Sequence, residues 1–158
     1  MPVMGQDPPS ETRKDPPSHL RQVQYVEAFG DEDAAVTVVF QVISLPKQLY
    51  LYLGLAEDPS SSLQSTSLAM MSSARPSSTP ISTVVLPSTS KTQNNDTESL
   101  QLAQMLCRKA GMPVLVSYNL PPGAVTDAVK AEVCRHAATV VCQAAAPLTR
   151  RPSVRTQN

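Results

Sequence analysis

The feature that most constrains the fold is a pair of apolar segments separated by only two residues. Residues 35–45 read AVTVVFQVISL and are rich in β-branched side chains, and residues 48–56 read QLYLYLGLA, in which Leu alternates with Tyr and Gly. Such patterns predict two β-strands. Pro46 and Lys47 between them predict a tight turn, so we expect a β-hairpin over residues 35–56.

Both faces of this hairpin carry apolar residues, with Thr37 and Gln41 interrupting the second face, whereas an antiparallel sheet with one face in water shows alternating apolar and polar residues. The leucines of the second strand point one way and its tyrosines the other. A face of about 800 Å² is one partner's share of a stable interface. Leaving half of that area in water would forgo about 10 kcal/mol at 25 cal/mol per Å². We therefore expect the second face to pack on another protein, through Val39, Ile43, Tyr50 and Tyr52.

The remaining periodicity predicts further strands and two helices. The expected strands are residues 22–29, 62–71, 81–86 and 113–120, and the expected helices are residues 97–111 and about 125–146. Asn95 and Glu98 have capping-box-like spacing before the first helix, and Pro147 is expected to end the second. The predicted fold class is α+β, with an antiparallel sheet of about six strands and two α-helices packed on one face.

Composition divides the chain into a folded part and two polar ends. Residues 1–18 contain two Pro-Pro pairs and few apolar residues, and residues 147–158 are polar and basic. Neither segment can bury enough surface to offset its ordering entropy, so both are expected to be disordered tails. The folded domain is expected to span residues 19–146.

In an alternative arrangement, segments of the same chain cover the second face of the hairpin. Segments 62–71 and 81–86 could fold over the hairpin and shield the tyrosines. The sequence alone leaves this arrangement and an external partner equally open.

Charge and cysteine content exclude several classes of protein. The formal net charge is zero, which argues against a nucleic-acid binder with a basic stripe. No apolar run approaches the length of a membrane span, and the first residues do not resemble a secretory signal. Three cysteines without a CxxC pair favour reduced thiols in the cytosol or nucleus.

No motif predicts catalysis or a cofactor. Cys134 and His136 lie two positions apart on the second predicted helix, so they point in different directions and do not form a nucleophile–base pair. Phosphate-binding loops and nucleophile elbows are absent from the sequence. We expect no catalytic residues, no metal site and no cofactor, although a small cysteine enzyme stays a remote alternative.

Residues 101–120, QLAQMLCRKAGMPVLVSYNL, combine a helix, a short turn and an apolar strand that ends in VSYNL. This block resembles the proteasome assembly chaperone 4 family. The hairpin VVFQVISLPKQLYLYLG at residues 38–54 is similar to the corresponding hairpin of that family. The resemblance covers roughly residues 36–140.

The resemblance implies a non-catalytic chaperone, and the reduced thiols place it in the cytoplasm, with the nucleus as the other compartment. It implies a heterodimer with a proteasome assembly chaperone 3-like protein that promotes assembly of the ring of alpha-type proteasome subunits and contacts the alpha-5 subunit. Nucleic acid and membranes are not expected as partners. The competing interpretation is a dimeric scaffold of the roadblock or profilin-like kind, which has the same plan of a sheet with helices.

Overall fold

The computed structural model describes residues 20–57, 65–72, 79–88 and 94–149. Within these ranges it contains six strands, two α-helices and one short 3₁₀ turn at Glu32–Ala34. In chain order the elements are β1 (Arg21–Phe29), β2 (Val36–Leu45), β3 (Gln48–Leu55), β4 (Ser65–Met70), β5 (Ile81–Leu86), α1 (Asn94–Ala110), β6 (Val114–Asn119) and α2 (Asp127–Thr149). The predicted α+β class with six strands and two helices is confirmed, and every predicted strand is present.

The six strands form one sheet in the order β1-β2-β3-β6-β4-β5. All neighbours are antiparallel except β3 and β6, which are parallel. The sheet is therefore mixed and not wholly antiparallel as expected. Strands β3 and β6 are parallel because α1 carries the chain back to the end of the sheet at which β3 begins. There the Leu49 amide donates to the Pro113 carbonyl at 3.0 Å, and β6 then runs alongside β3.

The hairpin of β2 and β3 forms where the sequence predicts it. Leu45 pairs with Gln48 across the turn, and Phe40 pairs with Leu53. The alternating pattern therefore places the side chains of the β3 leucines at positions 49, 51 and 53 on one face, and all three are fully buried.

Both helices pack on that same face of the sheet. The first helix, α1, lies against β4, β5 and β6, and α2 lies against β1, β2 and β3. Between them and the sheet is one apolar core, whose largest fully buried members are Phe40, Leu49, Leu51, Leu53, Leu106 and Leu120.

The start of α1 is held by polar contacts that differ from the predicted cap. Asn95 lies inside the helix and is buried, and its side-chain amide donates to the Leu120 carbonyl at 3.2 Å. The Ser65 hydroxyl donates to an Asp96 carboxylate oxygen at 2.7 Å, and the Ser67 and Ser99 hydroxyls are 2.7 Å apart. The predicted capping box is thus wrong, because the helix begins at Asn94 and uses Asn95 to fasten the end of β6.

The second helix ends later than predicted. It continues through Pro147 to Thr149. Proline lacks the backbone N–H that would donate to the carbonyl four residues earlier, yet the helical backbone continues for the two residues after it. The C-terminal tail was predicted at residues 147–158, and its residues 147–149 lie within α2. The rest of that predicted tail, residues 150–158, and the predicted tail at residues 1–18 lie outside the described residues.

Candidate protein-binding face of the sheet

The side of the sheet that faces away from α1 and α2 is called here the open face. Strand register places Val39 opposite Gly54 and Ile43 opposite Tyr50 on this side, with Tyr52 two residues further along β3. All four residues predicted to bind a partner therefore share the open face, and each is half-buried. Their contact with a partner remains a prediction.

No described helix or strand lies over the open face. Every packing contact that α1 and α2 make with the sheet is on the opposite side. Strands β4 and β5 extend the sheet beyond β6 and do not fold across the hairpin. Among the described residues, the alternative in which these two segments shield the tyrosines is therefore wrong.

The open face carries no Asp, Glu, Lys, Arg or His within the six described strands. Several of its apolar side chains are well exposed, with Val26 at 52%, Met70 at 46% and Ile81 at 66% of their full accessibility. Further apolar members, besides the predicted residues, include Ala28, Leu45, Leu68, Leu86 and Leu115. Depletion of charge with retention of large apolar side chains is characteristic of interface cores.

A chain of hydroxyl groups crosses the middle of the open face. Tyr50 donates its hydroxyl hydrogen to Ser117 Oγ at 3.0 Å, and Ser117 Oγ lies 2.8 Å from Thr66 Oγ1. Ser117 and Thr66 are buried. The three residues belong to the adjacent strands β3, β6 and β4, so the bonds fix the Tyr50 ring close against the sheet.

The Tyr52 ring also lies close to the sheet, but for a different reason. A Cβ atom added at Gly54 would lie 2.8 Å from the Tyr52 hydroxyl oxygen and 3.2 Å from the carbon that bears it. The tyrosine ring therefore lies over the glycine two residues further along β3. Both tyrosine rings therefore lie along the sheet, which suits packing against a second sheet.

The flat footprint of the open face is more than half of one partner's usual share of a stable protein interface. Six strands at about 4.8 Å spacing span about 24 Å, and six residues of strand extend about 20 Å. The flat footprint is roughly 500 Å², and side-chain relief adds to it. One partner's usual share is about 800 Å².

Sequence reasoning assigned only hairpin residues to this face. It missed Val26, Leu68, Ile81, Leu115 and Ser117, which four other strands contribute. The apolar alternation of those strands was visible, but their position beside the hairpin depends on the strand order.

The Cys134–His136 pair has no catalytic arrangement. Burial raises the pKa of the Cys134 thiol, and the nearby Glu98 carboxylate raises it further, which is the opposite of nucleophile activation. The His136 ring instead packs on Phe40 and Phe29, with centroid distances of 4.9 and 5.7 Å.

Within the part of the chain that the structure describes, no three His, Cys, Asp or Glu side chains gather as a metal site requires. None of the described helices is long and apolar enough to cross a membrane.

Comparison with known proteins identifies the family. One solved structure with a similar chain is the crystal structure of a chaperone complex for yeast 20S proteasome assembly, with 13% identity and a TM-score of 0.49 over 82% of this chain and 94% of that chain. No curated protein matches the sequence significantly. The model of the family described as proteasome assembly chaperone 4 matches residues 37–120, more than half of the chain. This protein therefore belongs to the proteasome assembly chaperone 4 family.

Proposed function

We propose that the protein is a non-catalytic chaperone of proteasome assembly that works as one subunit of a heterodimer. Its partner is a related chaperone of the proteasome assembly chaperone 3 kind. The pair promotes assembly of the alpha-type subunit ring and contacts the alpha-5 subunit. The observation that carries the proposal is the uncharged open face, in a chain whose family takes its name from proteasome assembly.

Heterodimerisation is supported by the physical chemistry of the open face. Val26, Met70 and Ile81 expose apolar surface, and burying it against a second sheet gains about 25 cal/mol per Å². Tyr50 and Tyr52 suit such an interface, because each combines a large apolar ring with a polar tip.

Templating is the mechanism that fits a protein of this kind. A heterodimer that holds one alpha-type subunit in a fixed orientation raises the effective concentration of that subunit for its ring neighbour. The subunit must dock away from the open face, because the related chaperone occupies that side. No bond is made or broken by the chaperone, so the proposal requires no cofactor or metal. The proposal includes the expected location of the protein in the cytoplasm and the nucleus.

A dimeric scaffold of the roadblock or profilin-like kind has the same plan of sheet and helices. The family match favours the proteasome role over that scaffold. The two functions differ in the proteins recovered with the chain, so one experiment separates them.

Affinity purification of the tagged full chain from cell extract tests the proposal. We expect recovery of a related chaperone together with alpha-type subunits that lack a complete set of beta-type subunits. An Ile43→Asp variant should lose the chaperone partner, because the aspartate places a charge in the middle of the open face. Gln143→Asp, at an exposed position on α2, should retain it. Recovery of mature proteasomes alone, or of an unrelated complex, would contradict the proposed function.

A further inference from the structure

The described acidic residues lie towards one end of the sheet together with Lys130, which pairs with Glu98 and Asp127, and four other cations lie at the opposite end. Arg21, at the start of β1, lies opposite Ser44 of β2 in the strand register, and Lys47 lies in the turn that follows β2. Arg108 and Lys109 occupy the last turn of α1. This helix ends near the turn between β2 and β3, because the Pro113 carbonyl that follows the helix accepts from the Leu49 amide. No described acidic residue lies at this end of the sheet. The described acids are Glu27, Asp31, Glu32, Asp33, Glu57, Asp96, Glu98, Asp127 and Glu132, towards the opposite end.

A groove opens between α1 and α2 on the side of the helices away from the sheet. Its volume is about 520 Å³, and it is lined by Met105, Lys109, Arg135, Ala138, Thr139 and Cys142. A neighbouring hollow of about 350 Å³ shares Met105 and Lys109 and adds Gln101, Gln104 and Arg108. We call these two depressions together the helix groove. Its described lining contains three cations and no carboxylate.

Two of the three cations of the helix groove form no ion pair with a described residue, and the third, Arg135, has a long contact with Glu132 and donates from Nε to the Ala131 carbonyl at 3.4 Å. Among the described residues, Arg108 and Lys109 take part in no ion pair. The closest carboxylate oxygen of Glu132 is 3.9 Å from Arg135, and both side chains are exposed. Cations in the last turn of a helix do stabilise its dipole, which gives Arg108 and Lys109 a local role. Arg135 lies in the middle of α2, where the dipole gives no such role.

We propose that the helix groove is the docking site for an acidic segment of the alpha-type subunit. This inference rests on the proposed function. Carboxylates of the segment would pair with Arg108, Lys109 and Arg135, and an apolar side chain would contact Met105 and Ala138 between them. Methionine is suited to this contact because its side chain adapts to different shapes. A single-stranded nucleic acid would need aromatic rings for base stacking, and none lines the groove, so a protein segment is favoured.

The position of the helix groove agrees with simultaneous binding of two partners. The helices separate it from the open face, so a related chaperone on the sheet leaves the groove accessible. Templating requires this geometry, since the heterodimer must hold the subunit while it remains intact.

Charge reversal in the groove, compared with an equal reversal outside it, tests the inference. The test uses the heterodimer of the full chain with the related chaperone, and measures its affinity for purified alpha-5 subunit. We expect Arg108→Glu with Lys109→Glu to weaken binding by about tenfold or more and to flatten its salt dependence. The control, Arg21→Glu with Lys47→Glu, changes the net charge equally outside the groove and should weaken binding less than about threefold.

Cys142 provides a second measurement that does not depend on mutation. It is exposed and lines the groove, whereas Cys107 is buried and Cys134 is half-buried. Bound alpha-5 subunit should therefore slow maleimide labelling of Cys142 by about fivefold or more at saturation, when most of the chaperone is complexed.

The outcomes separate the inference from the proposed function. If the wild-type heterodimer binds no alpha-type subunit, the proposed function fails. If it binds but the groove variant and the control lose affinity equally, or Cys142 is not protected, the docking site is elsewhere and the inference is overturned. Displacement of the subunit by single-stranded RNA at equimolar concentration would likewise overturn it.

Discussion

Ser117→Ala should lower the free energy of unfolding of the domain, because the Ser117 hydroxyl is part of a buried hydrogen-bond network. Ser117 Oγ accepts from the Tyr50 hydroxyl at 3.0 Å and lies 2.8 Å from Thr66 Oγ1. Both Ser117 and Thr66 are buried, with 1% and 7% exposure, so water cannot readily replace the lost partner. Leaving a buried polar group unsatisfied costs about 1–3 kcal/mol, and we expect a loss of that size. Because the network joins three strands, the loss should appear in the global free energy of unfolding.

Urea unfolding of the full chain measures this effect, at protein concentrations where the midpoint does not change with dilution. Tyr50→Phe removes one of the same bonds and should cost about 1 kcal/mol. The double variant should cost less than the sum of the two, with a coupling of at least about 0.5 kcal/mol. A Ser117→Ala cost below about 0.5 kcal/mol, or strict additivity with Tyr50→Phe, would refute the reasoning.

Three further predictions concern other parts of the molecule. Asn95→Ala should cost about 1–3 kcal/mol in urea unfolding, because the buried Leu120 carbonyl loses its 3.2 Å donor; an unchanged midpoint would contradict this. Burial raises the pKa of the Cys107 thiol above its ordinary value of 9.0, so the folded state keeps a proton that the unfolded chain releases. Its stability contribution is present below pH 9 and should fall as pH rises further, and Cys107→Ala should reduce that alkaline loss. Gly54→Ala should displace the Tyr52 ring and weaken partner binding while the thermal midpoint changes little; unchanged binding would argue against a role for the ring.

Local pattern was sufficient to predict most elements of this fold. The Leu-Tyr alternation predicted β3 and the burial of Leu49, Leu51 and Leu53, because a strand sends alternate side chains to opposite faces. The hairpin could also be predicted from local sequence, because only Pro46 and Lys47 separate its two strands. The apolar content of both hairpin faces also indicated that the tyrosine side needs a cover from outside the hairpin.

Strand order was not accessible in the same way. The placement of β6 between β3 and β4 depends on the return of the chain through α1, which no period in the sequence encodes. As a result, Leu115 and Ser117 were not assigned to the candidate site, although they lie beside Tyr50 and Tyr52. Asn95 was misread for a related reason, since its partner carbonyl at Leu120 is distant in sequence.

The mass of the full chain in solution, alone and mixed with a proteasome assembly chaperone 3-like protein, tests the central claim most directly. We predict that sedimentation detects species heavier than the 16.9 kDa monomer, and that the mixture forms a heterodimer. Tyr52→Ala should fold as the wild type does and bind the partner at least about tenfold more weakly, because tyrosine is enriched among the central interface residues whose truncation costs about 2 kcal/mol or more, and about 1.4 kcal/mol is a tenfold change. A wild-type chain that stays monomeric under both conditions, or a Tyr52→Ala variant that binds as tightly as the wild type, would contradict a partner on the open face.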